Sequence, residues 1–508
     1  IEVNDFAVRV AQTAMWIAQL QANDETDMLL DVDAEDFPLR DSASITEANA
    51  LRIDWNDVLP AKECSYVMGN PPFLGARNQS KEQKAELADV FGGSKNCGSV
   101  DYVAGWYVKA ADYAGDRPIR CAFVSTNSIC QGEQVANVWQ PLYGKGVRID
   151  FAHDTFRWAN EANDQAHVFC VIVGFSKLGG RKTLFHHDGP DASAVELHPA
   201  NLNAYLSDAP DAFVWNRGKS LCNAPKIGIG NKPIDGGNYL FKPEEAEEFL
   251  KLEPAAKPYF RRWLGASELL NGKMRYFLWL GDATSEALRA LPRCRERIEA
   301  VRLFRLSSSS KPTQKLASTP TRFHVENLPE SQSIVIPRHS SERRERIPLG
   351  FIGPDVLCGD ANLLIPNATL YHYGVLQSRV HNAWMRVVCG RLKSDYRYSG
   401  GVVYNNFPWP GAIADNLETL VEDLVAAPVR QRIEVAAQAV LDARALYPDS
   451  TLADMYDPDN EWMFPELARA HRELDAAVEA AYGVDFDGNE EKIVAHLFKL
   501  YAELTEKE

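Results

Sequence analysis

With 508 residues, 45% of them hydrophobic and 24% charged, the chain is long enough for roughly two or three domains and is neither disordered nor fibrous. Its formal net charge of −16 argues against a nucleic-acid partner unless the charge is unevenly distributed. No apolar run reaches the roughly 18 residues that cross a bilayer, and no two of the nine cysteines form a C-x-x-C pair, which predicts a cytoplasmic protein without a membrane partner or a metal site.

The N-terminal residues predict the end of a strand followed by an amphipathic helix over residues 6–20. Because the chain starts at Ile1 and no targeting signal follows, we expect an upstream portion of the fold to be missing. Glu2 stands at the end of this strand, where a carboxylate can bind both ribose hydroxyls of a cofactor. Asn49 is expected at the next strand edge, next to the cofactor's adenine. A surface glutamate and a loop asparagine are the alternatives.

Residues 1–199 predict an α/β domain, because short apolar strands alternate with helical stretches. The last two strands are expected to pair as a hairpin that closes a doubly wound, Rossmann-like sheet. The expected strands are 65–68, 119–125, 147–152 and 168–175, and the expected helices are 81–91 and 101–114.

The strongest functional motif is Asn70-Pro71-Pro72-Phe73, which follows an apolar strand directly. The Asn70 side-chain oxygen and the Pro71 carbonyl can accept both hydrogens of a planar amine, which turns the amine lone pair toward an electrophilic methyl group. The two prolines keep these oxygens rigid, and Phe73 can stack on a flat substrate. The motif favours methyl transfer to an exocyclic or amide nitrogen over an ordinary turn.

The charge is distributed in three blocks along the chain. Residues 257–403 carry 23 Lys and Arg against 12 Asp and Glu, a net +11. Residues 1–256 carry a net −13 and residues 404–508 a net −14. A basic middle between acidic ends is compatible with polyanion binding and equally with a solvated basic face.

Two further domains are expected after the α/β domain. Gly, Pro and Ser breaks between short strands predict an α+β domain over residues 200–412. Helical patterning predicts an acidic helical domain over residues 413–508, with helical segments at 417–424, 433–447 and 465–482.

Two polar runs in the basic region could contact a polyanion, and the family resemblance given below implies that they contact DNA. Arginine and lysine can contact phosphates or guanine edges, and glutamate can accept a hydrogen bond from cytosine. For any single member, a phosphate contact or a structural role is favoured over base reading. The candidates are Arg338, Ser340, Ser341, Glu342, Arg343, Arg344, Arg346, Arg391, Lys393 and Arg397.

Several segments resemble known families. One set resembles, in order, the motifs of DNA amino-methyltransferases that use S-adenosylmethionine: residues 1–20, 49–60, 67–80, 101–113, 123–132 and 156–174. A second set is similar to the MmeI-like restriction-modification enzymes: residues 258–266, 275–280, 389–399 and 405–410. Together these segments extend over nearly the whole chain.

The resemblance implies an adenine-N6 DNA methyltransferase sheet that lacks its first strand, then a target-recognition domain and a helical domain. It implies S-adenosylmethionine as cofactor, double-stranded DNA as partner, and nuclease and spacer domains upstream in the parent polypeptide. The turn Asn70–Phe73 would hold a flipped adenine. Glu2 would bind the cofactor ribose, Asn49 would lie next to its adenine, and Asp101 would line the same pocket, with helix packing as the alternative for Asp101.

Two departures from the family pattern limit these expectations. The glycine-rich loop that holds the methionine end of the cofactor belongs before Glu2 and is not in the chain, so the isolated chain is expected to bind cofactor weakly. The nuclease of the family is likewise not among the 508 residues of the chain. Methylation of RNA or of protein glutamine, and a non-catalytic DNA-specificity module, remain alternatives. The residues alone also leave adenine N6 and cytosine N4 open, because the same turn can hold either amine.

Overall fold

The computed structural model describes residues 1–30, 45–158, 168–189 and 191–506. This part of the chain forms two compact units, Ile1–Phe213 and Val214–Glu508. The boundary expected after residue 199 lies near this division, and the boundary expected after residue 412 lies within the second unit. Residues 159–167, in the middle of the last methyltransferase-like segment, are outside the described residues.

The first unit is built around a six-stranded sheet in the order β1-β2-β4-β3-β5-β6. Its strands are β1 (Tyr66–Gly69), β2 (Arg120–Thr126), β3 (Arg148–Trp158), β4 (Val168–Ser176), β5 (Thr183–His187) and β6 (Ala194–Leu197). Its helices are α1 (Asp5–Leu30), α2 (Lys81–Val90), α3 (Ala104–Ala114) and α4 (Gln140–Gly144).

The connections of this sheet confirm the expected parallel pair and hairpin, but the hairpin does not end the sheet, because the unexpected strands β5 and β6 extend it beyond β3. β1 and β2 are parallel, and α2 and α3 lie between them in the chain. β3 and β4 are antiparallel neighbours, which confirms the predicted hairpin. The sheet is therefore mixed, with parallel strands closed by an antiparallel pair, and the carboxyl ends of β1 and β2 lie at the same edge.

Aromatic packing holds α3 against this sheet. The Tyr107 ring on α3 stacks on Phe175 of β4 at 5.2 Å and meets Phe123 of β2 edge-on at 5.2 Å. Gly174 has no room for a side chain, because a Cβ there would lie 2.0 Å from the Phe151 ring. The two ring contacts pack the first turn of α3 against β2 and β4.

The N-terminal residues form a single parallel bridge between Glu2 and Glu47. The helix expected over residues 6–20 is confirmed and is longer, because α1 extends to Leu30. The second strand edge lies at Glu47 rather than at Asn49, which follows it in a turn. Glu2 thus lies in this parallel bridge, and Asn49 follows two residues after the bridge partner Glu47.

The second unit contains three small sheets, ordered β14-β9-β10-β8, β13-β11-β15-β7 and β12-β17-β16. Its strands are β7 (Gly228–Ile229), β8 (Leu240–Phe241), β9 (Phe260–Leu264), β10 (Arg275–Leu278), β11 (Ser333–Pro337), β12 (His339–Ser340), β13 (Gly350–Ile352), β14 (Val356–Cys358), β15 (Asn362–Pro366), β16 (Gly390–Leu392) and β17 (Asp395–Arg397). Its helices are α5 (Pro243–Leu252), α6 (Ala266–Asn271), α7 (Ser285–Arg289), α8 (Pro292–Leu306), α9 (Lys311–Lys315), α10 (Leu370–Gln377), α11 (Arg379–Val388), α12 (Ala427–Ala445), α13 (Leu452–Met455), α14 (Pro465–Tyr482) and α15 (Glu490–Thr505).

The helical C-terminal part confirms two of its three expected helical segments. Segment 433–447 lies largely in α12, and segment 465–482 coincides with α14. The helix expected at 417–424 is wrong, because this segment contains only a 3₁₀ turn, Val421–Asp423. The Val421 amide donates to the Asn223 carbonyl at 3.2 Å, so pairing with a distant segment outweighs local helical propensity.

In the part of the chain that the structure describes, no helix combines the length and the apolar character that a bilayer span requires.

Candidate active site and nucleic-acid interface

The Asn70–Phe73 turn lies at the carboxyl end of β1, next to the parallel strand β2. Asn70 and Pro72 are exposed, Phe73 is half-buried and Pro71 is buried. Ligands of α/β sheets bind at the carboxyl ends of their parallel strands. The polar side chain of the turn is therefore presented to solvent at the edge where a substrate is expected.

The residue after the turn, Leu74, is held through both of its backbone groups. Its N–H donates to Asp101 Oδ1 at 2.9 Å. Its carbonyl accepts from the Tyr102 N–H at 3.0 Å and from Gln79 Nε2 at 2.9 Å. Gln79 Nε2 also donates to the Val100 carbonyl at 3.0 Å, so the turn is tied to the residues that precede α3.

Asp101 lies behind the turn and is only 5% exposed. Besides the Leu74 amide, its Oδ1 accepts from the Val103 N–H at 3.3 Å. Its Oδ2 accepts from the Thr126 hydroxyl at the end of β2, also at 3.3 Å. The Asp101 N–H donates to Gln134 Oε1 at 2.8 Å. The residue expected to line the cofactor pocket thus makes internal hydrogen bonds to three elements.

Glu2 is half-buried at the entrance to α1. Its Oε1 accepts from the N–H groups of Val3 and Asn4, each at 2.9 Å. Within the described ranges, no donor contacts Oε2. One carboxylate oxygen is therefore fixed by the backbone while the other is open to a hydroxyl donor.

Asn49 is oriented by a buried glutamate that the sequence did not reveal. Asn49 Nδ2 donates to Glu86 Oε1 at 3.3 Å, while Asn49 Oδ1 accepts from the Leu51 N–H at 2.9 Å. Glu86 is 8% exposed and accepts from Arg52 Nε at 2.6 Å and from the Tyr102 hydroxyl. Burial, followed by the hydrogen bond to Glu86, raises the pKa of Tyr102 to about 12, so this hydroxyl stays protonated and donates.

These contacts connect the residues that the sequence indicated for the α/β domain. Glu2 pairs with Glu47, just before Asn49. Asn49 and Tyr102 share Glu86, and the neighbouring Asp101 holds Leu74 at the end of the turn. Glu86 is one of three acidic residues on the charged helix α2 and has no local signal of burial, so its role could only be found in the structure.

The two polar runs of the basic region meet in one sheet. β12 pairs with β17, with His339 opposite Arg397 and Ser340 opposite Tyr396. His339 and Arg397 are exposed on one face, whereas Ser340 and Tyr396 are buried on the other. Because side chains alternate between the faces of a sheet, one face of this small sheet is available to a partner.

The candidates Lys393, Arg391, Arg338 and Ser340 differ in exposure and in their contacts with other residues. Lys393 is exposed in the turn between β16 and β17, with φ of +58°. Arg391 lies on the inner face, where its guanidinium is 4.3 Å from the centre of the Tyr396 ring. Arg338 donates to the Asp360 carbonyl at 3.1 Å. Ser340 Oγ is buried and has no hydrogen-bond partner among the described residues.

The run 341–346 contains three arginines in three different environments. Arg343 is exposed and pairs with Asp459. Arg346 is 7% exposed and binds Asp475 with both terminal nitrogens, at 2.9 and 2.6 Å. Arg344 has no carboxylate within 4.0 Å in the described chain, and its buried Nε has no partner there. Burial lowers the pKa of Arg344, which marks it as a desolvated cation.

The remaining candidates of this run, Ser341 and Glu342, make fewer side-chain contacts. Ser341 Oγ accepts from the Arg343 N–H at 3.3 Å. Glu342 is half-buried and lines a cavity with Arg343, Arg344 and Arg386. Sequence reasoning identified this run as a polar cluster but could not separate inward from outward arginines, because their partners come from distant helices.

Comparison with known proteins gives the same family for each part of the chain. Three family models match: the MmeI DNA-methyltransferase domain over residues 1–186, the MmeI target recognition domain over 208–411 and the MmeI C-terminal domain over 426–507. DNA methyltransferase A of Bacillus subtilis (strain 168) is 39% identical over 513 residues, which cover 100% of this chain and 56% of that protein.

A solved structure gives a similar result. The type IIL restriction-modification enzyme MmeI in complex with DNA matches with 41% identity and a TM-score of 0.88, covering 99% of this chain and 66% of that chain. The α/β, α+β and helical organisation expected from the sequence is confirmed by this match. The chain spans between about half and two thirds of the length of these relatives.

Proposed function

Because the chain belongs to the MmeI family of restriction-modification enzymes, we propose that it methylates the N6 amine of adenine in double-stranded DNA. The observation that carries methyl transfer to an exocyclic amine is the Asn70–Phe73 turn at the carboxyl end of β1, with its following residue held by Asp101. The choice of adenine N6 over cytosine N4 rests on the family resemblance. A methyltransferase domain without such a turn would have no rigid acceptors for an amine. The recognition and C-terminal domains then supply the DNA-binding part of the same reaction.

The turn acts by holding the target amine in one orientation. Asn70 Oδ1 and the Pro71 carbonyl accept its two hydrogens, so its lone pair is directed away from both oxygens. The Phe73 ring stacks on the base, which must leave the duplex to reach the turn. No covalent enzyme intermediate is required. The rate enhancement comes from fixed geometry and exclusion of water.

The residues at the neighbouring edge fit the nucleoside end of S-adenosylmethionine. Glu2 Oε2 has open acceptor capacity for ribose hydroxyls, and Asn49 Oδ1 retains a lone pair for an adenine amine. When bound, S-adenosylmethionine supplies an electrophilic methyl group on sulfur.

The exposed face of the β12-β17-β16 sheet and the adjacent Arg344 are the proposed DNA contacts. Arg397 and Lys393 are exposed and within reach of phosphates or base edges. Arg344 is half-buried, its buried Nε has no hydrogen-bond partner in the described chain, and no carboxylate there lies within 4.0 Å of it, which favours an anionic ligand. Arg346 is excluded from this role, because its guanidinium is buried against Asp475.

Arg344→Ala is expected to weaken DNA binding and to lower the slope of log K against log salt concentration by about 1, because one phosphate contact is lost. The measurement is a fluorescence-anisotropy titration at several salt concentrations. The matched control is Arg469→Ala, which removes an exposed arginine that is paired with Glu473. An unchanged salt slope in Arg344→Ala would remove this residue from the interface.

The proposed activity is tested by offering radiolabelled S-adenosylmethionine with duplex DNA, structured RNA and a protein mixture in parallel. We expect label in duplex DNA only. Label in RNA or in protein glutamine would favour those methyltransferases instead. DNA binding without transfer, in a protein that binds S-adenosylmethionine, would indicate a non-catalytic specificity module.

A further inference from the structure

We propose that Asp101 is a positioning residue that fixes the Asn70–Phe73 turn, and that it does not contact the cofactor. The inference rests on the proposed methyl transfer and replaces the cofactor role that the sequence suggested for this residue. Its basis is the set of internal hydrogen bonds that Asp101 makes behind the turn.

The Asp101 carboxylate joins three separate pieces of the α/β unit. Oδ1 accepts from the Leu74 amide that ends the turn and from the Val103 amide at the start of α3. Oδ2 accepts from the Thr126 hydroxyl at the end of β2. Thr126 and Ser128 lie 2.7 Å apart through their hydroxyls, so Ser128 can donate to Thr126 while Thr126 donates to Asp101. The carboxylate is thus supplied with donors by the protein itself.

The consequence for the turn follows from chain connectivity. Leu74 is bonded directly to Phe73, so a displaced Leu74 amide moves the Phe73 ring and the acceptor oxygens before it. An error of about 1 Å in the placement of reacting groups costs roughly 100-fold in rate. Asp101 therefore controls the turnover rate through the turn, without touching the base.

Leu74 is also held through its carbonyl, which accepts a side-chain hydrogen bond from Gln79. Gln79 is buried and its Nε2 donates to the carbonyls of Leu74 and Val100. Gln79→Ala removes this support without changing any charge. It should loosen the turn in the same way as a change at Asp101, and it gives an independent variant if one substitution prevents folding.

The experiment compares Asp101→Ala with Asp101→Asn in the whole protein. An amide at this position can still accept from Leu74 and Val103 through its oxygen, and its NH₂ can donate to the Thr126 oxygen. We expect Asp101→Ala to lower kcat by roughly 100-fold and Asp101→Asn to stay within about 10-fold of the parent, with the Kd for S-adenosylmethionine unchanged in both. A direct cofactor contact through the charge would make the two variants equally defective and raise that Kd.

Hydrogen exchange separates this proposal from the proposed function. Without DNA or cofactor, the backbone amides of Asn70 and of residues 73–78 should exchange faster in Asp101→Ala and Gln79→Ala than in the parent and in Asp101→Asn; Pro71 and Pro72 have no amide hydrogen. If the parent transfers no methyl group but exchange follows this pattern, the proposed function fails and the positioning role stands. If the parent is active and exchange in Asp101→Ala is unchanged, the positioning role is refuted.

Discussion

Asn70→Ala is expected to lower the kcat of methyl transfer by about 100- to 1,000-fold, the range found when one preorganised hydrogen-bonding group is removed from an active site. The Pro71 carbonyl remains as the second acceptor, so the amine keeps one of its two fixed contacts. Asn70 is exposed and makes no side-chain hydrogen bond within the described residues, so its loss should leave the fold intact. The Kd values for DNA and S-adenosylmethionine should therefore change little.

Two further variants make this result specific. Asn70→Asp keeps an acceptor oxygen and should retain more activity than Asn70→Ala. Asn78→Ala removes another exposed asparagine, just beyond the same turn, and should leave kcat unchanged. Single-turnover rates with pre-bound DNA give the comparison directly. Equal loss of activity in the Asn70 and Asn78 variants would show that the loop tolerates no change, and would contradict a specific role for Asn70.

Asp475→Ala is expected to destabilise the second unit by about 3–5 kcal/mol, because it leaves the buried Arg346 guanidinium without its counter-charge. Asp475 lies on α14 and accepts from both terminal nitrogens of Arg346. It also accepts from the Arg379 N–H at 2.7 Å, at the start of α11. The Asp475 carboxylate thus connects α14 with the run 341–346 and with the start of α11.

The test is urea denaturation monitored by tryptophan fluorescence. Arg469→Ala, on the exposed face of the same helix, should leave the midpoint unchanged. The double variant Arg346→Met with Asp475→Leu should recover much of the loss, since it removes both buried charges. A loss below about 1 kcal/mol in Asp475→Ala would mean that water reaches the pair and that it does not anchor the run 341–346.

Local chemistry explains which parts of the site the sequence could predict. Asn70-Pro71-Pro72-Phe73 is contiguous and follows an apolar strand, so both its position and its acceptor groups could be inferred without tertiary contacts. The alternation of strands and helices likewise predicted the parallel pair and the β3–β4 hairpin, but not the strands β5 and β6 that follow them. Asp101 was recognised as close to the site, but its hydrogen bonds to Leu74 and Thr126 depend on how three elements meet.

Long-range contacts explain what the sequence could not predict. The sequence does not distinguish the three arginines at positions 343, 344 and 346, because they stand close together in one polar run. Their environments differ because the acidic partners of Arg343 and Arg346 come from residues more than 100 positions later. The two polar runs belong to one surface because β12 pairs with β17, a contact without a local signal. The segment 417–424 has helical patterning, but pairing with Asn223 prevents a helix there.

The most direct test of the account is the chemical identity of the methylated base. Duplex DNA labelled by the whole protein with radioactive S-adenosylmethionine is digested to nucleosides and separated by chromatography, with Asn70→Ala in parallel. We expect label in N6-methyladenine and a strong reduction of this label in the variant. Label in N4-methylcytosine, or N6-methyladenine formed equally well by Asn70→Ala, would contradict this expectation.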